Sequence, residues 1–131
     1  MGPDLPGAGM PMRLPKASPA AVRRFGELVP ESPDLITRML FGQPAAFVRG
    51  NLFFGVFGEK LFVRLSDEDR AQALRTPGFA TFEPMPGRAM SQYVVLPASL
   101  LKNPTLCRRW LARALDYAGG LPPRAAARRR K

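Results

Sequence analysis

A chain of 131 residues with 46% hydrophobic content has room for one domain and its core, and one cysteine gives it no internal disulfide. The complete absence of histidine removes the side chain that most often moves protons near neutral pH, and the commonest nitrogen ligand for metals. The net charge is +10, and five of those charges come from Arg124, Arg128, Arg129, Arg130 and Lys131, so the body of the chain is only mildly basic.

Residues 1–16 are rich in Pro and Gly and are expected to form a flexible leader. They contain no continuous apolar run of signal-peptide type, and Pro6 stands where a myristoylation signal needs Ser or Thr. The apolar stretches further on are strand-sized and are interrupted by Arg49, Lys60 and Arg64, so no membrane association is expected. A cytoplasmic location follows from these features and from the lone cysteine.

Ser18-Pro19 reads as a helix start, because Ser caps free N–H groups and Pro is preset for the first turn. Val22, Phe25, Leu28 and Val29 follow at helical spacing. Ser32-Pro33 repeats that start, with Leu35, Ile36, Met39 and Leu40 behind it, and predicts a second helix. After Gly42 the period changes to two. Residues 45–49, 52–57 and 60–65 are predicted strands, joined at Gly50-Asn51 and Gly58-Glu59 by connections suited to tight hairpins.

Ser66 caps a further helix whose first turn holds Asp67, Glu68 and Asp69, placed to meet the positive end of the helix dipole. Residues 79–83 form a short strand, 84–87 a turn, and 91–96 a better strand. Asn103-Pro104 opens the last helix and Gly119-Gly120 closes it, with Cys107, Trp110, Leu111 and Ala114 on its apolar arc. Residues 17–121 therefore form the domain, and 122–131 form a basic tail expected to be disordered. The fold class is α+β: two layers, with helices packed on an antiparallel sheet of about four or five strands.

Several short motifs occur in order. Arg38-Met39-Leu40-Phe41-Gly42 precedes the strand region, Gly50-Asn51-Leu52-Phe53 sits at the first hairpin, and Leu61-Phe62-Val63-Arg64 lies in the third strand. Pro84, Gly87-Arg88-Ala89-Met90 and residues 93–97 complete the set. Together they resemble the N-terminal domain of the TfoX/Sxy family over about residues 35–120. The name-giving members regulate natural competence and carry a second, helical domain after this one. The resemblance implies a stand-alone N-terminal domain of two-layer α+β fold in a regulatory role. It brings no catalytic or ligand residues, and no enzyme activity, metal or cofactor is expected.

Strand register generates the candidate site. Across the Gly58-Glu59 hairpin, Phe57 should face Lys60 and Gly55 should face Phe62. One sheet face then collects Leu52, Phe54, Val56, Leu61, Val63 and Leu65 and is the expected core face. The other collects Phe53, Phe57, Lys60, Phe62 and Arg64, with Ala46 and Val48 from the first strand. Three phenylalanines there need a cover. The first helix or the leader can supply it, a second copy of the chain can, or a ligand such as unpaired bases stacked among the cations.

The leading reading is a non-enzymatic regulatory or protein-interaction domain with an unidentified protein partner or a homodimer. The alternative is a nucleic-acid accessory protein that adds Arg124, Arg128, Arg129, Arg130 and Lys131 to the aromatic face. Five phosphate contacts would give a salt slope of roughly −4 to −5 on duplex DNA, weak and nonspecific. Arg88 is a weaker anion candidate in the turn before the last strand. Cys107 is expected to be packing, and Asp67, Glu68 and Asp69 to be helix-start electrostatics.

Overall fold

The structure, a computed structural model, describes residues 15–124. Most of the predicted leader, and Arg128, Arg129, Arg130 and Lys131, lie outside the described residues.

Helix α1 spans Pro19–Leu28 and starts as expected: the Ser18 hydroxyl accepts from the Ala21 N–H at 3.0 Å. The second predicted helix is instead a strand, β1, Leu35–Leu40. Ser32-Pro33 is a turn rather than a cap, with the Leu35 N–H donating to the Ser32 carbonyl at 3.1 Å. Phe41 and Gly42 both take positive φ, 55° and 78°, which is the geometry of a tight hairpin turn. That turn folds the segment back so that Leu40 pairs with Gln43, and pairing with β2 (Gln43–Val48) overrides the helical spacing. Strands β3 (Asn51–Phe57) and β4 (Lys60–Arg64) follow as predicted.

Helix α2 (Asp67–Leu74), strands β5 (Ala80–Met85) and β6 (Arg88–Val95), and helix α3 (Pro104–Gly119) complete the chain. The expected turn at 84–87 is tighter than predicted, because β5 runs through Pro84 to Met85. A proline is tolerated there because β5 is an edge strand with one side of its backbone unpaired. The fold is α+β, with a six-stranded antiparallel sheet in the order β1-β2-β3-β4-β6-β5. The strand beyond the expected number is β1.

All three helices contribute to a core on one face of the sheet. Ala21, Phe25 and Leu28 of α1, Ala73 of α2, and Cys107, Leu111, Ala114 and Ala118 of α3 pack there against Phe54, Leu61, Val63 and Val94. Phe25 stacks on Phe54 at 4.7 Å. Burial of side chains such as Leu111 and Phe54 stabilises by about 1.5–3 kcal/mol each.

The β3–β4 register is as predicted, Phe57 opposite Lys60 and Gly55 opposite Phe62. The β2–β3 register is not uniform. Ala46 pairs with Phe54 but Phe47 pairs with Leu52, so Phe53 is an extra residue in a β-bulge. Past the bulge the alternation inverts. Phe53 joins Phe54 under the helices and Leu52 turns to the other face, the reverse of a strict period of two. Ala46 and Val48 likewise lie in the helix-covered core, not on the opposite face.

Candidate functional site

The second sheet face has its own small core. Phe62, Phe82 and Tyr93 are buried there, with Leu52, Phe57, Met90 and Val95 packed against them. Among the described residues, the cover comes from strands and not from a helix. The sheet curls, so that Leu40 and Phe41 near one edge and Phe82 and Pro84 on the other line a single apolar cavity of about 40 Å³. Phe57 meets the Phe82 ring edge-on at 5.2 Å. The predicted aromatic surface is thereby dismantled: Phe53 is buried under the helices and Phe62 under Phe82 and Tyr93, so neither ring offers a face for stacking a base. Phe57 is half-buried and Lys60 is exposed.

Arg64 meets different neighbours. Three arginines, Arg38, Arg64 and Arg124, line one open cavity of about 460 Å³ beside the second core, together with Leu40, Phe47, Leu52, Met90 and Tyr93. The Arg38 guanidinium lies 4.3 Å from the centre of the Phe47 ring. Arg64 Nε donates to Gln92 Oε1 at 2.7 Å, and its guanidinium sits 5.6 Å from the Tyr93 ring and 5.9 Å from that of Tyr117. The Tyr93 hydroxyl donates to the Leu52 carbonyl at 3.1 Å. Burial pushes the Tyr93 phenol up, opposed by the positive charges of Arg64 and Arg124.

No Asp or Glu lines this cavity. Among the described residues the ion pairs are Arg70–Asp67 and Arg113–Asp69, both elsewhere. Among the described residues, none of these three arginines forms an ion pair with a carboxylate.

Arg124 stands in the predicted tail, but the chain leading to it is docked. The Arg124 N–H donates to the Arg49 carbonyl at 2.9 Å, and Asn51 Nδ2 donates to the Pro122 carbonyl at 3.1 Å. Arg49 reaches the Gly119 carbonyl at 3.3 Å. The ordered chain thus continues past residue 121, with the β2–β3 turn holding it. Of the proposed polyanion-binding residues, only Arg124 is among those described. Arg88 is exposed beside the β5–β6 turn and does not line the cavity. Sequence reasoning missed Arg38, because a helix would have pointed it elsewhere; the one local signal was Gly42, which suits the second position of a tight hairpin turn, whereas Phe41 does not suit the first.

A second surface is the free edge of β1. Ile36, Met39 and Phe41 are 54%, 63% and 71% exposed, the highest values among the large apolar side chains of the described residues. The two-residue turn makes Leu40–Gln43 a hydrogen-bonded pair, so by alternation the N–H and C=O of Thr37 and Met39 point outward, away from β2.

The chemistry-bearing residue types occupy structural positions. Cys107 is fully buried and its thiol donates to the Leu100 carbonyl at 3.2 Å. Burial pushes that thiol up, only partly countered by Arg24 and Arg108, which disfavours a nucleophilic thiolate. Asp67 pairs with Arg70 at 2.9 Å and Asp69 faces Arg113 at 3.6 Å, while the Ser66 hydroxyl caps α2 by accepting from the Asp69 N–H. No metal-binding group of His, Cys, Asp and Glu occurs among the described residues. No helix among them is long and apolar enough to cross a membrane.

No curated protein and no solved structure matches the chain. A family model does, over the span that holds the whole sheet and nearly all of α3. The model described as TfoX N-terminal domain matches residues 27–118, and the chain belongs to that family.

Proposed function

We propose that this domain works without catalysis, as a protein-interaction domain in a regulatory role, and that its partner adds a strand to β1. The family membership supports the regulatory part. The single observation that carries the interaction part is the β1 edge: outward backbone groups at Thr37 and Met39, flanked by the most exposed apolar side chains of the described structure. Proteins usually blunt such an edge with charge, proline or a covering segment, and among the described residues β1 has only Arg38 of these.

A second copy of the chain is the first occupant to expect. Antiparallel pairing about a twofold axis requires facing residues to share a sheet face. Centring on Thr37 sets Thr37 against its own copy, Leu35 of one copy against Met39 of the other, and Ile36 against Arg38. Each of these pairings is compatible, whereas centring on Arg38 would oppose two like charges.

Light scattering on the full chain from about 10 to 500 µM tests this, because edge pairing alone should bind in the micromolar range. A dimer that Thr37→Pro converts to monomer, with the melting temperature unchanged, is the expected result. The proline removes an outward N–H and leaves the β1–β2 ladder intact. A monomer at every concentration excludes the second copy, and a dimer indifferent to Thr37→Pro excludes the β1 edge.

A further inference from the structure

We infer that the cavity lined by Arg38, Arg64 and Arg124 is a binding site for an organic phosphate of about nucleoside-diphosphate size and charge. This goes beyond the edge-strand reading and does not depend on it.

Charge comes first. Three arginines line one concavity, and no Asp or Glu is among its described lining residues. Like charges held together carry a repulsive cost, which an anion relieves. Arginine matches phosphate through its planar fork of donors. A diphosphate group carries about three negative charges at neutral pH, which balances the three arginines.

The positions of these arginines are set by the fold. Arg64 is held by Gln92 at 2.7 Å and Arg38 lies over Phe47 at 4.3 Å. The backbone of Arg124 is pinned to Arg49 at 2.9 Å. Their side chains come from β1, from β4 and from the segment after α3, three parts of the chain that only the tertiary structure brings together.

Size and lining select an organic ligand over a bare anion. A volume of about 460 Å³ exceeds what phosphate needs and falls within the range of small-molecule sites. Leu40, Leu52, Met90 and the Phe47 ring form an apolar wall beside the charges. The guanidinium plane of Arg38 can extend that wall by stacking on a planar group.

Isothermal titration of the full chain at about 50 mM salt tests the assignment, with ADP, adenosine and inorganic pyrophosphate as probes. ADP should bind in the micromolar to sub-millimolar range, at least tenfold more tightly than pyrophosphate or adenosine. Arg38→Gln and Arg64→Gln should each weaken ADP at least tenfold. Arg38 is exposed, so its replacement should leave the melting temperature unchanged. Arg88→Gln, and a variant with Arg128, Arg129, Arg130 and Lys131 changed to Gln, should bind ADP as the parent does.

Absence of ADP binding overturns the proposal, as does binding that survives Arg38→Gln. Equal affinity for pyrophosphate removes the organic body from the assignment. Loss of binding in the tail variant moves the site to the tail. A ten-nucleotide single strand that binds more tightly than ADP, with the same dependence on Arg38, replaces the small ligand with nucleic acid.

Discussion

The ring of Phe62 lies flat on that of Phe82, with centroids 4.3 Å apart and planes within 7°. Phe62 stands on β4 and Phe82 on the edge strand β5, with β6 between them in the sheet, so the stack fixes the curl of the sheet's end. Beneath the Phe62 ring is Gly55, whose missing side chain leaves the ring its place. Phe62→Ala should lower stability by about 3–5 kcal/mol, the usual cost of removing a buried aromatic ring. Gly55→Val should also destabilise, by about 1–3 kcal/mol, because a side chain there collides with Phe62. Urea denaturation of both variants checks this, and a Gly55→Val protein as stable as the parent contradicts the packing described.

Gly50 should control Arg124. It has φ of 84°, and a Cβ added to it would run into the Arg124 carbonyl. Gly50→Ala should cost about 1–2 kcal/mol for the left-handed backbone alone. It should also push the segment after α3 off the β2–β3 turn, seen as faster amide exchange at Arg124 and as weaker ADP binding. Unchanged exchange at Arg124 would show that the docking is not tight.

Cys107 predicts a pH effect. Burial raises its thiol in the folded state, whereas in the unfolded chain it ionises near 9.0. Above that pH the unfolded state binds fewer protons than the folded one, so stability should fall as pH rises. It is fully present below the unfolded value and is lost on the way to the folded one. The Tyr93 phenol acts in the same direction at higher pH, starting near 10.0. Melting temperatures from pH 7 to 10 should decline, and Cys107→Ala should flatten the first part of that decline. The native thiol should also resist a thiol-specific reagent until the protein unfolds.

Gln43, the first residue of β2, ties the β1–β2 hairpin to the β3–β4 turn. Its Oε1 accepts from the Gly58 N–H at 2.7 Å in a buried position, while its Nε2 has no partner among the described residues. Gln43→Leu should cost about 1–3 kcal/mol, because it leaves the Gly58 N–H buried without an acceptor. Gln43→Glu keeps the acceptor, so its effect should depend on pH, with the protonated acid tolerated better than the buried carboxylate. Denaturation at pH 4 and pH 7 separates the two states.

At the β1 edge, Met39→Lys should reduce self-association as Thr37→Pro does, through charge rather than a lost donor. Met39 is 63% exposed, so folding stability should change by less than about 0.5 kcal/mol. Light scattering and thermal melting read the two effects separately.

The elements marked by strong local chemistry were legible in the sequence. Ser18-Pro19, Ser66 and Asn103-Pro104 start their helices where the residue types demand, and Gly58 places the β3–β4 turn and its register. The α+β class followed from their order. Ser32-Pro33 carried a helix-start pattern without the outcome, because two positive-φ residues at Phe41-Gly42 give the segment a strand partner, and a local pattern holds no information about that partner.

The candidate sites depended on what local patterns omit. A period of two assigns faces correctly only until a bulge adds a residue, and Phe53 is that residue: one insertion exchanged Leu52 for Phe53 across the sheet and buried a predicted surface. Arg64 and Arg124 were visible as basic residues, but their meeting with Arg38 was not, since the three lie far apart in the chain. Most of the secondary structure, the register across Gly58 and the supply of cations could be read from the residues alone, because those rest on neighbours a few positions apart. Which face each phenylalanine takes, how the sheet curls to cover it and which arginines share a cavity follow from the folded chain, because those rest on pairings that close over tens of residues.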